Sequence, residues 1–379
     1  MIQRARVNRI ALNSISVVLA VVMLAAMAPV FTLAQPATEE VTEIDASSEV
    51  EIDFPRGIVI DADLEWDVTD DDIELELLYS TAGSETETLI FVPYEVAYPV
   101  QVEIAIDLQS AFVPSGVEID FRWRLVDDRE VVAESESEST IWFDDRWDWR
   151  QLESDLVRVH FYDLDEAFAQ EILDSAQSTV SELEQRYRLD RSAPLDVWIY
   201  PSSADFRSAQ QPNSRESVAG ASYPGYYLIV AVIPNGNSGE IGRVIPHEVS
   251  HQVLFQATEN PFTNPPLWFD EGMATHFQVG GTSGYMEMAI RAHRDDALFD
   301  LGSLDVSFPY LPSQATLAYA ASWTAVEYIE VTYGDEGIAA LIDAFATGAP
   351  YDEAMTNAIG IDGDRLNDDW KAWIAAQSD

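Results

Sequence analysis

The segment that most constrains the fold of this chain is His247-Glu248-Val249-Ser250-His251. On a helix, residues i and i+4 lie one above the other on the same face, so both imidazoles can reach a single ion. The glutamate directly after the first histidine is then placed to take a proton from a water molecule on that ion. Nineteen residues separate His251 from Glu271. Two histidines and one carboxylate make the ligand set of a catalytic zinc site that keeps one position open.

The composition narrows the choice of metal ligands. The chain has no cysteine and only five histidines, so any ligand must be a histidine, an aspartate or a glutamate, and disulfides and thiolate sites are excluded. The net charge is −47. Such a field repels nucleic acid and anionic membrane surfaces, and neither is predicted to be a partner.

The N-terminus has the pattern of an export signal. Three arginines precede a largely apolar run over residues 10–30, and Thr32-Leu33-Ala34 offers small residues before a cleavage point. We predict that residues 1–34 form a cleaved signal peptide, with an uncleaved N-terminal anchor as the alternative. The predicted location is therefore secreted or extracytoplasmic.

The first half of the chain alternates between apolar and acidic residues. After a polar linker at residues 35–47, runs such as 73–77, 102–107 and 117–123 have one apolar and one acidic face, which is typical of half-buried antiparallel strands. Six or seven such strands predict a β-sandwich over residues 48–145.

The second half, residues 150–379, combines strands with helices. Strands are predicted at 157–161, 195–200 and 226–233, and a helix at 165–188. Beyond residue 240 nearly everything has a helical pattern, and helices are predicted over 240–256, 270–279, 284–298, 315–333, 335–346, 351–358 and 364–376. The predicted class is α+β, with a helical C-terminal lobe.

The two halves of the metal motif resemble one family of zinc peptidases. His247-Glu248-Val249-Ser250-His251 together with 268–274, Trp-Phe-Asp-Glu-Gly-Met-Ala, is similar to the gluzincins, the thermolysin-like superfamily, and above all to the bacterial peptidase MA-like domain. The resemblance extends over roughly residues 150–377 and includes the stretch 318–323. It implies a thermolysin-like zinc peptidase domain that acts on a peptide or protein substrate.

The resemblance also implies a role for each site residue. His247, His251 and Glu271 would bind one Zn²⁺, and Glu248 would be the general base that activates the zinc-bound water. Tyr319 would donate a hydrogen bond to the developing oxyanion. The alternative for Tyr319 is an ordinary helix tyrosine packed beside a tryptophan.

Three residues depart from the pattern. Pro246 precedes the first motif histidine, so the metal helix either begins near Pro246 or bends there. Thr275 stands where many relatives carry an acid that orients a ligand histidine, so that support is expected to be weaker or to come from elsewhere. His276 lies about 140° around the helix from Glu271 and is a poor co-ligand.

Two functions from different classes fit these observations. The first is an exported zinc metallopeptidase. The second is a non-catalytic extracellular binding protein with a structural or degenerate zinc domain. Glu248 favours the enzyme, because a purely structural site has no need of a base.

Overall fold

The computed structural model describes residues 42–377, apart from 69–72, 83, 85, 190–192 and 211–218. All described residues belong to one compact unit. The predicted signal or anchor, residues 1–34, and the first part of the predicted linker, residues 35–41, lie outside the described residues. Within the described part, none of the helices combines the length and apolar character that a membrane span requires.

Two antiparallel-rich sheets are formed by the N-terminal strands. The strands are β1 (Thr42–Glu43), β2 (Asp45–Asp53), β3 (Gly57–Glu65), β4 (Glu74–Thr81), β5 (Thr88–Val92), β6 (Val100–Asp107), β7 (Val117–Asp127), β8 (Glu130–Glu134) and β9 (Glu138–Trp142). One sheet has the order β2-β3-β6, and the other has the order β1-β8-β7-β4-β5 with β9 beside β7. The strands predicted from alternation at 73–77, 102–107 and 117–123 are therefore confirmed.

The alternation has the expected cause, since one face of each strand is buried. In β7, for example, Ile119, Phe121 and Trp123 are buried while the residues between them are partly exposed or exposed. The apolar faces of both sheets contribute to one hydrophobic cluster. The arrangement as a β-sandwich and its boundary near residue 145 stay predictions. The predicted linker ends too late, because residues 42–43 and 45–47 are already in strands β1 and β2.

A third sheet lies in the C-terminal half of the chain. Its strands are β10 (Arg150–Glu153), β11 (Val157–Phe161), β12 (Leu195–Tyr200), β13 (Gly220–Tyr223) and β14 (Leu228–Val232). The order is β10-β11-β12-β14-β13; β11, β12 and β14 run parallel, and the two edge strands are antiparallel to their neighbours. Helix α1 (Glu166–Tyr187) connects β11 to β12, as a parallel pair requires.

Strand β12 contributes to two cores because its side chains alternate between the faces of the sheet. Val197 and Ile199 belong to the cluster formed with α1 and the C-terminal helices. Trp198 and Tyr200 belong instead to the cluster formed by the N-terminal sheets. The third sheet is therefore covered by helices on one face and by the N-terminal sheets on the other.

Residues 144–149, where the first predicted domain gives way to the second, are packed at this junction. The fully buried Asp144 carboxylate accepts two hydrogen bonds of 2.6 Å from the Arg146 guanidinium and one of 3.2 Å from the Tyr200 hydroxyl. Trp149 packs edge-on against Trp198 and Tyr200. These contacts link the N-terminal strands to β12.

The remaining elements are helices that follow one another closely. They are α2 (Ser203–Ser208), α3 (Ser238–Thr258), α4 (Leu267–Phe277), α5 (Tyr285–Arg294), α6 (Pro312–Ala346), α7 (Tyr351–Ile359) and α8 (Gly363–Ala376), with short 3-10 turns at Pro224–Tyr226 and Leu301–Leu304. The mixed α+β class is confirmed. The two helices predicted at 315–333 and 335–346 are present as the two parts of α6, separated at Gly334, whose φ of 71° interrupts the helical backbone.

Candidate metal centre

Helix α3 carries the histidine motif and continues through a proline. It begins at Ser238, eight residues before Pro246, so the alternative that the helix begins near Pro246 is wrong. Pro246 has no N–H to donate to the Gly242 carbonyl one turn earlier. The Val279 N–H, just beyond α4, donates to that carbonyl at 2.7 Å instead. The Gly242 carbonyl that the proline leaves free therefore links α3 to the end of α4, the helix that carries Glu271.

The structure brings the three predicted ligands together. His247 and His251 lie one turn apart on α3, with ring centroids 4.9 Å apart, and Glu271 reaches them from α4. One ligand atom of each residue lies within 4.8 Å of the others. The Glu271 Oε2 atom is 3.5 Å from His247 Nε2 and 3.6 Å from His251 Nε2.

These distances leave room for an ion between the three side chains. They exceed the range of about 2.7–3.2 Å that is usual for N–H···O hydrogen bonds. Glu271 Oε2 is buried and has no hydrogen-bond partner within the described residues, which is costly for a carboxylate unless a cation compensates it. The donor set of two imidazoles and one carboxylate fits zinc. The role of these residues as ligands stays a prediction.

The electrostatics of the cluster favour an ionised glutamate. Burial alone would raise the pKa of Glu271, but the neighbouring imidazoles His247 and His251 outweigh it and lower that pKa. Burial opposes a charge on His251 as well, yet the carboxylates of Asp270 and Glu271 raise the pKa of this histidine well above its ordinary value. The site therefore attracts positive charge, whether proton or metal ion.

Glu248 lies beside the cluster without belonging to it. Its side chain is buried, and burial raises the pKa of the carboxyl group. It packs onto the backbone of Gly220, at the start of β13: a Cβ atom at that position would lie only 2.5 Å from Glu248 Oε1. A glycine is therefore required for Glu248 to occupy this place.

Asp270 was not singled out in the sequence, although it is adjacent to Glu271. Its Oδ1 lies 2.8 Å from His251 Nδ1 and fixes the ring so that Nε2 faces the cluster. Thr275 stands where relatives carry the acid that orients a ligand histidine. It is buried, and its hydroxyl has no hydrogen-bond partner among the described residues. The support for the ligand histidine was expected to come from another residue, and Asp270, which directly precedes Glu271 on α4, provides it.

Tyr319 approaches the cluster from α6. Its hydroxyl lies 3.5 Å from Glu271 Oε1, and its ring packs edge-on against Phe308 with centroids 5.1 Å apart. Its ring centroid lies 6.4 Å from that of His247. The structure thus brings Tyr319 to the site, whereas its role as an oxyanion donor stays a prediction.

The other histidines lie elsewhere. His276 faces Glu327 and Glu330 on α6, at 3.7 and 3.2 Å, and Arg186 shares this group of side chains. The Arg186 guanidinium already pairs with the Glu330 carboxylate, and burial together with the Arg186 charge lowers the pKa of His276 to about 4. His160 stacks on Trp198 and bonds Asp196 at 2.8 Å. Both observations agree with structural roles.

Comparison with known proteins agrees with the geometry. The sequence profile of the Peptidase MA superfamily matches residues 175–376, more than half of the chain. No curated protein sequence matches. Among solved structures, an aminopeptidase N family protein from Idiomarina loihiensis is 11% identical with a TM-score of 0.43, and the match covers 86% of this chain and 76% of that one.

A β-glucuronidase from Bifidobacterium dentium, solved with coumarin-3-O-glucuronide, is 10% identical with a TM-score of 0.20 over 56% of this chain and 34% of that one. Neither superposition is close enough to support a functional argument, so the assignment rests on the profile match. This match confirms the resemblance to gluzincin-type peptidases, and the chain belongs to the Peptidase MA superfamily.

Proposed function

We propose that this peptidase is an exported zinc metallopeptidase that hydrolyses peptide bonds with Glu248 as the general base. The observation that carries the proposal is the placement of Glu248. Its carboxylate is buried beside the two motif histidines, packs on Gly220, and is not one of the three residues grouped as ligands. A purely structural zinc site needs ligands alone, and burying a further acid beside it would only destabilise the fold.

His247, His251 and Glu271 would hold the ion, with Asp270 orienting one imidazole. A bound zinc ion lowers the pKa of water and polarises a carbonyl group. Glu248 takes a proton from the attacking water and passes it to the leaving amine. The Tyr319 hydroxyl, held near Glu271, donates a hydrogen bond to the oxygen that becomes negative.

The substrate would bind along strand β13. This strand is at the edge of the third sheet, pairs with β14 on its inner side, and begins beside Glu248. An extended peptide that adds to the edge receives main-chain hydrogen bonds whatever its side chains are. This arrangement supports cleavage of peptides and unfolded protein segments.

Two further parts of the proposal concern the rest of the chain. The two N-terminal sheets would form a β-sandwich that covers the third sheet, since both contribute to the cluster that contains Trp198. Residues 1–34 would direct export. Fusing residues 1–34 to a reporter tests the second statement: activity confined to the cytoplasm would contradict it.

One experiment tests the enzyme and its mechanism together. The purified chain, its Glu248→Gln variant and the control Glu259→Gln, an exposed position at the end of α3, are assayed for bound zinc and for cleavage of a mixed peptide library. We expect about one zinc per chain in all three and cleavage by the wild type and Glu259→Gln only. A zinc-loaded wild type that cuts nothing contradicts the peptidase function, and it favours the binding-protein alternative. Cleavage by Glu248→Gln at the wild-type rate contradicts the mechanism.

A further inference from the structure

A cavity of about 740 Å³ adjoins the candidate metal centre. Of the three predicted ligands, only His251 lines it. Its walls come from the end of α3, the loop that leads into α4, the loop at Asp305 and the beginning of α7. Leu254, Phe255 and Phe345 make much of the inner surface apolar. We name this space the acidic cavity, because two aspartates line it.

The two carboxylates that line the acidic cavity outnumber its one basic side chain, the His251 imidazole. Asp270 and Asp305 contribute carboxylates, and none of the described residues that line it is a lysine or an arginine. Asp270 uses Oδ1 to hold His251, but its side chain is still 32% exposed. An apolar wall that ends at carboxylates fits a long side chain with a cationic end, because the stem packs while the charge is compensated.

The polar groups at the inner end have unused bonding capacity. Asp305 Oδ1 and the Tyr351 hydroxyl are buried and have no well-formed hydrogen bond among the described residues, although the indole N–H of the fully buried Trp268, behind the cavity lining, interacts with both. Burial raises the pKa of Asp305, and the nearby Trp268 indole offsets this only in part. A buried carboxylate without a cation is costly, and a bound guanidinium or ammonium group would relieve that cost.

The position of the acidic cavity indicates which part of the substrate enters it, the part before or the part after the bond that is cut. Glu248 faces Gly220 at the start of β13, whereas Pro224 and Gly225, which line the cavity, follow the end of that strand. In a peptide that pairs antiparallel with β13, residues N-terminal to the reacting bond run toward the end of β13. A side chain from that part of the substrate therefore reaches the cavity.

We propose that the acidic cavity is the subsite for a basic side chain, arginine or lysine, on the N-terminal side of the bond that is cut. The proposal rests on the peptidase function proposed above and names its substrate class. Asp305, whose Oδ1 atom is buried, supplies the negative charge, the Tyr351 hydroxyl adds a hydrogen bond, and Val306, 89% exposed, lies at the rim.

The test uses the zinc-loaded full chain and acetylated peptides that differ at one residue: arginine, its neutral isostere citrulline, lysine or leucine. We expect kcat/KM for arginine to exceed that for citrulline by about ten- to a hundredfold, the range of a charge-assisted hydrogen bond. Asp305→Asn should bring this ratio close to one. The control Glu353→Gln removes the same charge from an exposed position of α7 and should leave the ratio unchanged.

A second variant keeps the proposal testable if Asp305→Asn fails to fold. Val306→Arg changes only an exposed rim residue, and its cation should lower the arginine ratio at least fivefold. Equal rates for arginine and citrulline in the wild type overturn the proposal, and so does an unchanged ratio in a folded Asp305→Asn. A preference that requires a free N-terminal amine also overturns it, because the cavity would then hold the amine rather than a side chain.

Failure of the peptidase function can be distinguished from failure of the subsite. Binding of the same peptides to Glu248→Gln, followed by fluorescence anisotropy, does not require turnover. Tighter binding of the arginine peptide supports the subsite even if the wild type cuts nothing, and equal binding overturns it.

Discussion

Substituting Gly220 by alanine should disable the proposed general base without changing the metal ligands. The added methyl group would lie 2.5 Å from Glu248 Oε1 and 2.8 Å from its Cδ and Cγ atoms. An ordinary contact begins near 3.4 Å, so the carboxylate must move by 3.4 − 2.5 = 0.9 Å. A misplacement of about 1 Å at a reacting group can cost about a hundredfold in rate.

The fold should survive this change. The methyl group meets the end of a side chain rather than backbone atoms, so Glu248 can give way, and we expect a loss of stability of about 1–3 kcal/mol at most. The assay is kcat on one peptide, with zinc content and urea denaturation measured in parallel. The control is Gly239→Ala in the first turn of α3, where the nearest atom is 3.5 Å away.

A double-mutant cycle tests whether displacement of Glu248 is the cause of the lower kcat in Gly220→Ala. Glu248→Ala removes the Cγ, Cδ and Oε1 atoms that the added methyl group would meet. Gly220→Ala should therefore cost about a hundredfold in the wild type but less than about tenfold of the residual rate in the Glu248→Ala background. Wild-type kcat in Gly220→Ala, or equal losses in both backgrounds, would refute the reasoning.

Further predictions concern the other parts of the molecule. Asp270→Asn should weaken zinc binding about ten- to a hundredfold in a chelator competition, because His251 loses the acceptor that holds its ring; unchanged affinity would contradict this role. Tyr319→Phe should lower kcat about a hundredfold or more with zinc retained, and an unaltered kcat would leave Tyr319 a packing residue. Zinc in thousandfold excess over its dissociation constant should stabilise the fold by about 4 kcal/mol, seen as a higher Tm than in chelator. Asp144→Ala should cost about 2 kcal/mol in urea denaturation, since Tyr200 and Arg146 both lose a buried acceptor, and a smaller loss than at an exposed acid would contradict this.

Local patterns were sufficient to predict most elements of the fold. Period-2 alternation locates β4, β6 and β7 because one face of each is buried, and the spacing of the motif places His247 and His251 on one side of α3. The break at Gly334 was also predicted, because the helices 315–333 and 335–346 end and begin beside it, whereas the continuation of α3 through Pro246 depends on tertiary contacts. The partner that replaces the missing N–H of Pro246 lies 33 residues away, at Val279, and such contacts are not visible in a window of sequence.

The supporting residues of the site were harder to predict than the ligands. Gly220 contacts Glu248 and Asp270 contacts His251 only because the chain folds, and neither residue belongs to the five-residue motif. Asp270 was not predictable from helix spacing, because consecutive residues on a helix point about 100° apart and do not share a face. The acidic cavity combines five separate segments, and no sequence pattern brings these together.

The packing of β12 on both of its faces has a consequence for how the two halves of this peptidase can evolve. A gene fragment that encodes only residues 150–379 would leave Trp198, Tyr200 and Val230 on an uncovered sheet face, where they favour aggregation. Recombination that separates the two halves would therefore be selected against, unless the new neighbour covers the same surface. The N-terminal sheets can change their exposed loops freely, but the residues that contact Trp198 must vary together with it.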